Sequence, residues 1–479
     1  MVKGFPERGP LDLAGLASKM LDVWESENTF QASIDSRPES DTYVFFEGPP
    51  SANGMPGIHH VMGRAIKDIF CRFATLNGKR VERKAGWDTH GLPVELGVEK
   101  ELGITKEDIG KKISVEEYNN ACRTAVMKYT GVWNDLTRQM GYWVDMESPY
   151  VTYENKYIES VWWLLSQLYK KDLIYKGYTI QPYSPMAGTG LSSHELNQPG
   201  TYRDVMDTTV VAQFKVLSSG VETLKTIYSE TITEENLNLP FYLLAWTTTP
   251  WTLPSNTALT VGPKIDYAIV KTTNRYTEEA GILILAEALL AKQFDKNAPA
   301  HEVLGRCKGS DLIGIKYEQL IDWAQPMDTP EQAFRVIGGD FVTTEDGTGI
   351  VHTAPTFGAD DALVARAAGV PPMLVDDGTG HGVPLVDMQG KLREGFGPMA
   401  GRFVKNEYYP EGEAPDKSVD VDIAIDLKIR GLAFKVEKYS HSYPHCWRTD
   451  KPILYFPLDS WFVKATAAKE KMTELNKTI

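Results

Sequence analysis

Two groups of residues have the types and spacing to do chemistry. The first is His59-His60, at the end of the stretch Glu47-Gly48-Pro49-Pro50-Ser51-Ala52-Asn53-Gly54-Met55-Pro56-Gly57-Ile58. An apolar run, Tyr43-Val44-Phe45-Phe46, precedes it and reads as a buried strand. Met62, Ile66, Ile69, Phe70 and Phe73 follow at helical spacing. Open α/β sheets bind ligands where a strand's carboxyl end meets a helix. Helix N-termini favour phosphate, because unpaired N–H groups and the dipole both face it. Two imidazoles at such a join suggest a nucleotide site, the alternative for His60 being a satisfied core imidazole. The second group is Thr247, Thr248, Thr249 and Thr252, four hydroxyls at the end of the apolar run Phe241–Trp246. Threonine runs often express only β propensity, but Pro250 and Pro254 break the strand here and favour a binding loop.

The elements that must position these residues change character along the chain. Leu13, Leu16, Met20, Leu21 and Trp24 sit at helical spacing before the first strand. Asn77-Gly78 is a helix stop, and Arg80–Arg83 reads as a second strand. Ser114-Val115-Glu116-Glu117 is a capping box opening a helix that places Tyr118, Cys122, Val126, Tyr129, Trp133 and Leu136 on one face. A further helix carries Tyr157, Ile158, Val161, Trp162, Leu165 and Leu168, and Leu173–Tyr175 begins a third strand. Strands alternating with helices predict a parallel sheet. Near residue 200 short Thr/Val-rich runs take over: Thr208–Val216, Phe241–Trp246, Ile265–Thr272, Phe341–Thr344 and Gly349–His352. Asp346-Gly347 predicts a hairpin turn between the last two. This mainly β region is expected to end near residue 420, with Ile453–Phe456 returning toward the sheet.

The chain has 479 residues and a net charge of −14, so any nucleic-acid contact must use a local basic patch such as Lys79-Arg80 with Arg83-Lys84. A merely solvated face is the alternative reading of that cluster. Cys71, Cys122, Cys307 and Cys446 are scattered with no Cys-x-x-Cys pair, which predicts no zinc. Unpaired thiols and the lack of a signal peptide or long apolar run fit a cytoplasmic protein away from membranes.

Four ordered blocks resemble the class I aminoacyl-tRNA synthetases. Pro56-Gly57-Ile58-His59-His60 stands where the family has His-x-Gly-His after Gly-Pro-Pro. Gly86-Trp87-Asp88-Thr89-His90-Gly91-Leu92-Pro93-Val94-Glu95 is similar to the block of the isoleucine enzymes. Trp246–Asn256 and Gly347–Pro355, the latter followed by Asp360-Asp361, resemble the editing domain of that subfamily. The resemblance implies an α/β fold. A helical extension (1–42) leads into the first half of a Rossmann-like catalytic domain (43–200). An inserted mainly β editing domain (201–420) and a return segment (421–479) follow. The family's later Lys-Met-Ser-Lys-Ser block does not occur, and half of a doubly wound sheet leaves an open edge. The chain therefore reads as the N-terminal part of a longer protein, a monomer when complete.

By resemblance the substrates are ATP with Mg²⁺, isoleucine and tRNA(Ile). The signature imidazoles His60 and His59 are the catalytic candidates, His60 donating to the phosphate, and Gly57, His59 and His60 form the ATP site. Gly48 and Pro49 wall the amino-acid pocket, and Asp88 holds the substrate ammonium, unless it only caps a turn. The family's Gly and first His are exchanged here. A side chain at position 59 should collide with ATP unless Gly57 vacates room and His59 turns aside. A similar exchange occurs in members associated with resistance to mupirocin, so weak inhibition by adenylate-mimicking antibiotics is expected. In the editing domain Asp361 grips the substrate amine and His352 limits the pocket. Thr247, Thr248, Thr249 and Thr252 supply hydroxyls, and Asp360 caps the following helix. The competing readings are a tRNA-binding or deacylating module without synthesis, and a valine-charging enzyme.

Overall fold

The computed structural model describes residues 9–45, 47–48, 50–227, 233, 235–296 and 298–477. The chain is mixed α/β and forms two compact units: residues 1–175 with 463–479, and residues 176–462 inserted between them in sequence.

In the first unit β1 (Lys84–Trp87) pairs in parallel with β2 (Asp145–Val151). Gly86 faces Tyr150, and a Cβ there would come within 2.3 Å of the phenol ring, so the register admits only glycine. The second strand thus lies a few residues beyond Arg80–Arg83, and β2 carries no clear alternation in the sequence. The expected buried strand Tyr43–Phe46 does not form as such. Thr42 and Ser51 make isolated parallel bridges to Arg80 and Asp88, Val44 is 65% exposed, and Phe46 lies outside the described residues. The segment is held through Arg80 and Asp88 along one edge only, too little to keep a regular strand.

The helix Ile58–Leu76 forms and stops at Asn77-Gly78 as its sequence predicts, but its burial is reversed. Cys71, Ala74 and Thr75 are buried, with Cys71 and Ala74 packed on Val81, whereas Met62, Ile66, Ile69, Phe70 and Phe73 are exposed. The helix Asn155–Lys170 likewise shows Trp162 and Trp163 to solvent. Ser114 and Glu117 form the expected reciprocal cap. The helix it opens ends at Val126, and Trp133, almost fully buried, belongs to a second helix, Thr130–Gln139.

The second unit contains β3 (Ile174–Ser184), β4 (Thr189–Gly190), β5 (Tyr202–Lys215), β6 (Phe241–Thr247), β7 (Ala258–Val261), β8 (Asp266–Thr273), β9 (Ala280–Ala286), β10 (His301–Lys308), β11 (Arg335–Gly338), β12 (Ile350–Thr353), β13 (Leu374–Asp376), β14 (Gly382–Pro384), β15 (Ala433–Pro444) and β16 (Leu454–Val463). Nine of them form one sheet in the order β10-β8-β9-β6-β12-β7-β11, with β5 joining β15 to β6. β3 lies between β16 and β4 in a separate sheet, so the strand begun at Leu173–Tyr175 does not extend the β1–β2 pair. Phe341–Thr344 is not a strand, and no hairpin forms at Asp346-Gly347. Instead β12 lies antiparallel to β7 and parallel to β6.

β6 is apolar almost throughout because both its faces are covered. Phe241, Leu243 and Ala245 enter one core with Phe214 and Tyr267, while Leu244 enters another with Val211 and Val270. Each of the leucine, valine and phenylalanine side chains contributes roughly 1.5–3 kcal/mol by leaving water. This doubly covered strand is the rigid stem of the threonine loop.

Candidate functional site

At the N-terminus of helix Ile58–Leu76, Gly57 is the N-cap residue in extended conformation. Its N–H donates to His60 Nδ1 at 2.9 Å. Since Nδ1 accepts, the His60 proton sits on Nε2, free to donate outward. Burial, His59 and Arg64 together push the His60 pKa below its usual value, so the ring is neutral near pH 7. It packs edge-on to Trp133 at 4.8 Å, and the Trp133 indole N–H donates to the Gly54 carbonyl at 2.9 Å, tying the glycine-rich loop to the helix behind it.

The exchanged pair fits together. The His59 ring lies over Gly57, where an added Cβ would stand 2.9 Å from Cε1 and 3.0 Å from Nδ1. It also packs on His60 with centroids 3.8 Å apart. Gly57 thus gives room to the very side chain that replaces the usual glycine.

Asp88 follows β1 and is exposed. Its N–H donates to Pro50 at 3.0 Å, joining it to the strand-like segment after Gly48, and its carboxylate accepts the His90 N–H at 3.3 Å. The Thr89–Thr152 hydroxyl pair, 2.8 Å apart, fastens this block to the residues after β2, and His90 Nδ1 joins it at 2.9 Å. Gly48 is exposed, and its carbonyl accepts from Lys67, which also pairs with Glu47 at 2.6 Å. Pro49 lies outside the described residues. Trp87, next to Asp88, shares a core with Trp133, which lies against His60. One small core therefore supports both ends of the first site. The 720 Å³ cavity of this unit opens elsewhere, among Phe30, Glu47, Arg83, Tyr150 and Tyr157.

In the second unit the residues converge fully. Thr247, Thr248, Thr249, Thr252, His352 and Asp361 line one cavity of about 230 Å³, with Trp246, Val351, Ala354 and Phe357 as further wall. β6 and β12 run parallel with Val351 opposite Trp246, so the loops after their carboxyl ends meet at one rim.

His352 is buried and held on both nitrogens. Asn256 Nδ2 donates to Nδ1 at 2.8 Å, which places the ring proton on Nε2, and Nε2 donates to Thr252 Oγ1 at 3.0 Å. The Thr252 hydroxyl donates in turn to the Thr249 carbonyl at 2.8 Å. Asn256 is oriented in turn by the Tyr317 hydroxyl, 2.7 Å from Oδ1. Burial lowers the His352 pKa to about 3, so the ring stays neutral and its proton is committed.

Asp361 lies in the first turn of helix Ala359–Ala368 and accepts the Ala354 N–H at 2.8 Å. Gly358 caps that helix, so Asp360 does not take the expected capping place. A Cβ at Gly358 would press within 2.7 Å of the Asp361 carboxyl, which needs that space to fold back. Burial pushes the Asp361 carboxyl up to about 6, the Ala354 bond opposing and Asp360 reinforcing.

The family model described as tRNA synthetases class I (I, L, M and V) matches residues 19–479. The chain belongs to this family. Among curated relatives, an isoleucine–tRNA ligase of Bacteroides fragilis is 58% identical over 100% of this chain and 43% of its own length. One of Cytophaga hutchinsonii is 56% identical over 98% and 43%, and one of Clostridium tetani 42% identical over 98% and 40%. The chain thus spans less than half the length of the relatives it matches. Among solved structures, the P. knowlesi cytosolic leucyl-tRNA synthetase editing domain aligns over 34% of this chain and 64% of its own. At 16% identity and a TM-score of 0.28 it is too distant to bear on the argument.

Trp246, Val351, Ala354 and Phe357 in the wall, and Asn256 and Tyr317 behind it, belong to the second site without a chemical signal of their own in the sequence. Asn256 lies inside the quoted threonine block and was within reach. Nothing in the sequence around Tyr317 marks it.

Proposed function

We propose that the natural protein activates isoleucine with ATP and Mg²⁺, joins it to tRNA(Ile), and hydrolyses valine attached in error. The first unit supplies part of the synthetic site and the second the editing site. The reading is supported by high identity to isoleucine–tRNA ligases over the whole chain. What carries it is the gathering of four threonine-loop hydroxyls, a neutral imidazole and a half-buried carboxylate around one cavity.

In activation the amino-acid carboxylate attacks the α-phosphate and pyrophosphate leaves. Charge grows on the phosphate oxygens, where preorganised donors count most. His60, with Nδ1 occupied by Gly57, directs Nε2–H outward for that task. Asp88 offers an exposed carboxylate to the substrate ammonium. In isoleucine enzymes generally, a hydrophobic pocket rejects a substrate one methylene shorter by only about 1–3 kcal/mol. A second, hydrolytic site answers that limit. Asp361 holds the ammonium of the valyl ester, and the threonine hydroxyls place ester and water. His352 serves as a polar wall that limits side-chain length. It is no general base, because Nδ1 is already bonded to Asn256 and Nε2–H to Thr252.

The test is Val-tRNA(Ile) hydrolysis by the full-length protein carrying Asp361→Ala. A loss of at least about a hundredfold is expected, consistent with removing an anchor that sets the reacting geometry. Undiminished hydrolysis would take Asp361 out of the mechanism. ATP–pyrophosphate exchange with isoleucine and valine separates this reading from a valine-charging enzyme and from a module that deacylates without synthesis.

A further inference from the structure

A buried charge cluster in the second unit lies behind the threonine loop. Lys405 and Asp420 are 5% and 3% exposed. Lys405 Nζ stands 3.0 Å from Asp207 Oδ2 and 3.9 Å from Asp420 Oδ2, and 4.7 Å from the centre of the Tyr443 ring. Asp207 also meets His441 Nε2 at 3.1 Å. The second Asp420 oxygen, Oδ1, accepts the Trp251 backbone N–H at 2.8 Å.

Well-packed apolar side chains stabilise an interior about as well as buried ions do, so the cluster's value lies in what it orients. Asp207 sits on β5 and His441 on the adjoining β15, a firm base. Asp420 is in the first turn of helix Val419–Ile429, whose N-cap is Ser418. Trp251 lies between Thr249 and Thr252 in the turn Pro250–Ser255. Its side chain is buried against Phe357, another wall of the cavity, with ring centres 5.0 Å apart. A pull on the Trp251 amide therefore acts on two cavity hydroxyls and one cavity ring.

We propose that Asp420, backed by Lys405 and Asp207, is a positioning residue that pins the threonine loop through the Trp251 amide and so sets the geometry of ester hydrolysis. The proposal rests on the editing reading above. Burial raises the Asp420 carboxyl to about 7 against the opposing pull of Lys405, as expected for a carboxylate whose ionised form depends on that cation.

The experiment uses the full-length protein with Asp420→Leu, which keeps the branched shape but removes the acceptor, and Asp420→Asn, which keeps an acceptor oxygen. For Val-tRNA(Ile) hydrolysis, Asp420→Leu is expected to lower kcat about 10- to 100-fold, in line with a misplacement of about 1 Å. KM should stay within about twofold, the pattern of an interaction felt mainly in the transition state. Asp420→Asn should recover most of the rate. Amide hydrogen exchange across residues 247–256 should quicken in the leucine variant only, and ATP–pyrophosphate exchange should be unchanged in both. If the leucine variant fails to fold, the same comparison is made with Lys405→Met added, which removes the facing cation. Wild-type kcat in the leucine form, or equal damage in the asparagine form, overturns the proposal. If Asp361→Ala also leaves hydrolysis intact, the editing reading fails instead.

Discussion

Asp361 and His352 stand on the same cavity with opposite protonation behaviour, and burial causes both. The Asp361 carboxyl keeps its proton up to about pH 6, while His352 stays neutral down to about pH 3. Only ionised Asp361 can hold an ammonium, so kcat/KM for Val-tRNA(Ile) hydrolysis should climb with pH through about 6 and then level, with no limb from His352. The stability sign is opposite for that carboxyl. Between its ordinary value near 4 and about 6 the folded state binds the extra proton, so its contribution falls as pH rises. Asp361→Asn should therefore raise the melting temperature at pH 7 and leave it unchanged at pH 4. At the other site, Gly57→His alone drives a side chain into the His59 ring. It should cut ATP–pyrophosphate exchange of the full-length protein about tenfold, since some 1.4 kcal/mol of misfit is enough. Adding His59→Gly should restore exchange and strengthen inhibition by an adenylate mimic. Equal inhibition of natural and double-variant forms would refute the link between the exchange and resistance.

Among the elements, those governed by local chemistry were legible in the sequence. The Ser114–Glu117 cap and the Asn77-Gly78 stop need only neighbouring residues, and β6 announced itself through an unbroken apolar run. What failed was pairing at a distance. β2 is set by Gly86 lying beneath Tyr150, 64 positions apart in the sequence, and its own residues are polar at one end. No hairpin forms at Asp346-Gly347 because Phe341–Thr344 is not a strand and β12 takes β6 and β7 as partners. Helical spacing found the helices Ile58–Leu76 and Asn155–Lys170 but assigned their apolar faces to a core that the described residues do not provide. Gly86→Ala tests the register of the first unit. Its methyl would strike the Tyr150 ring, and a loss of about 1–3 kcal/mol in denaturant unfolding is expected.

At the scale of the molecule, the two sites draw on the chain differently. The second unit gathers all its cavity residues within residues 246–361, on loops rooted in adjacent parallel strands. The first brings His60 and Asp88 onto a shared core, and its apolar helix faces remain in water. The 479-residue chain by itself is therefore expected to hydrolyse Val-tRNA(Ile) while giving no ATP–pyrophosphate exchange. Robust exchange by this chain would show that the first unit is a sufficient synthetic site. The motifs revealed which residues meet in the cavity. They could not reveal the supports behind them, because Tyr317 and Asp420 lie 61 and 169 positions from the residues they hold.

The raised Asp361 carboxyl has one more consequence. If the second unit edits as proposed, acidification through about pH 6 would protonate Asp361 and release its hold on a substrate ammonium. On the proposed editing reading, uncorrected Val-tRNA(Ile) should then accumulate faster in mildly acidic buffer than at neutral pH, which a side-by-side assay of the full-length protein would show.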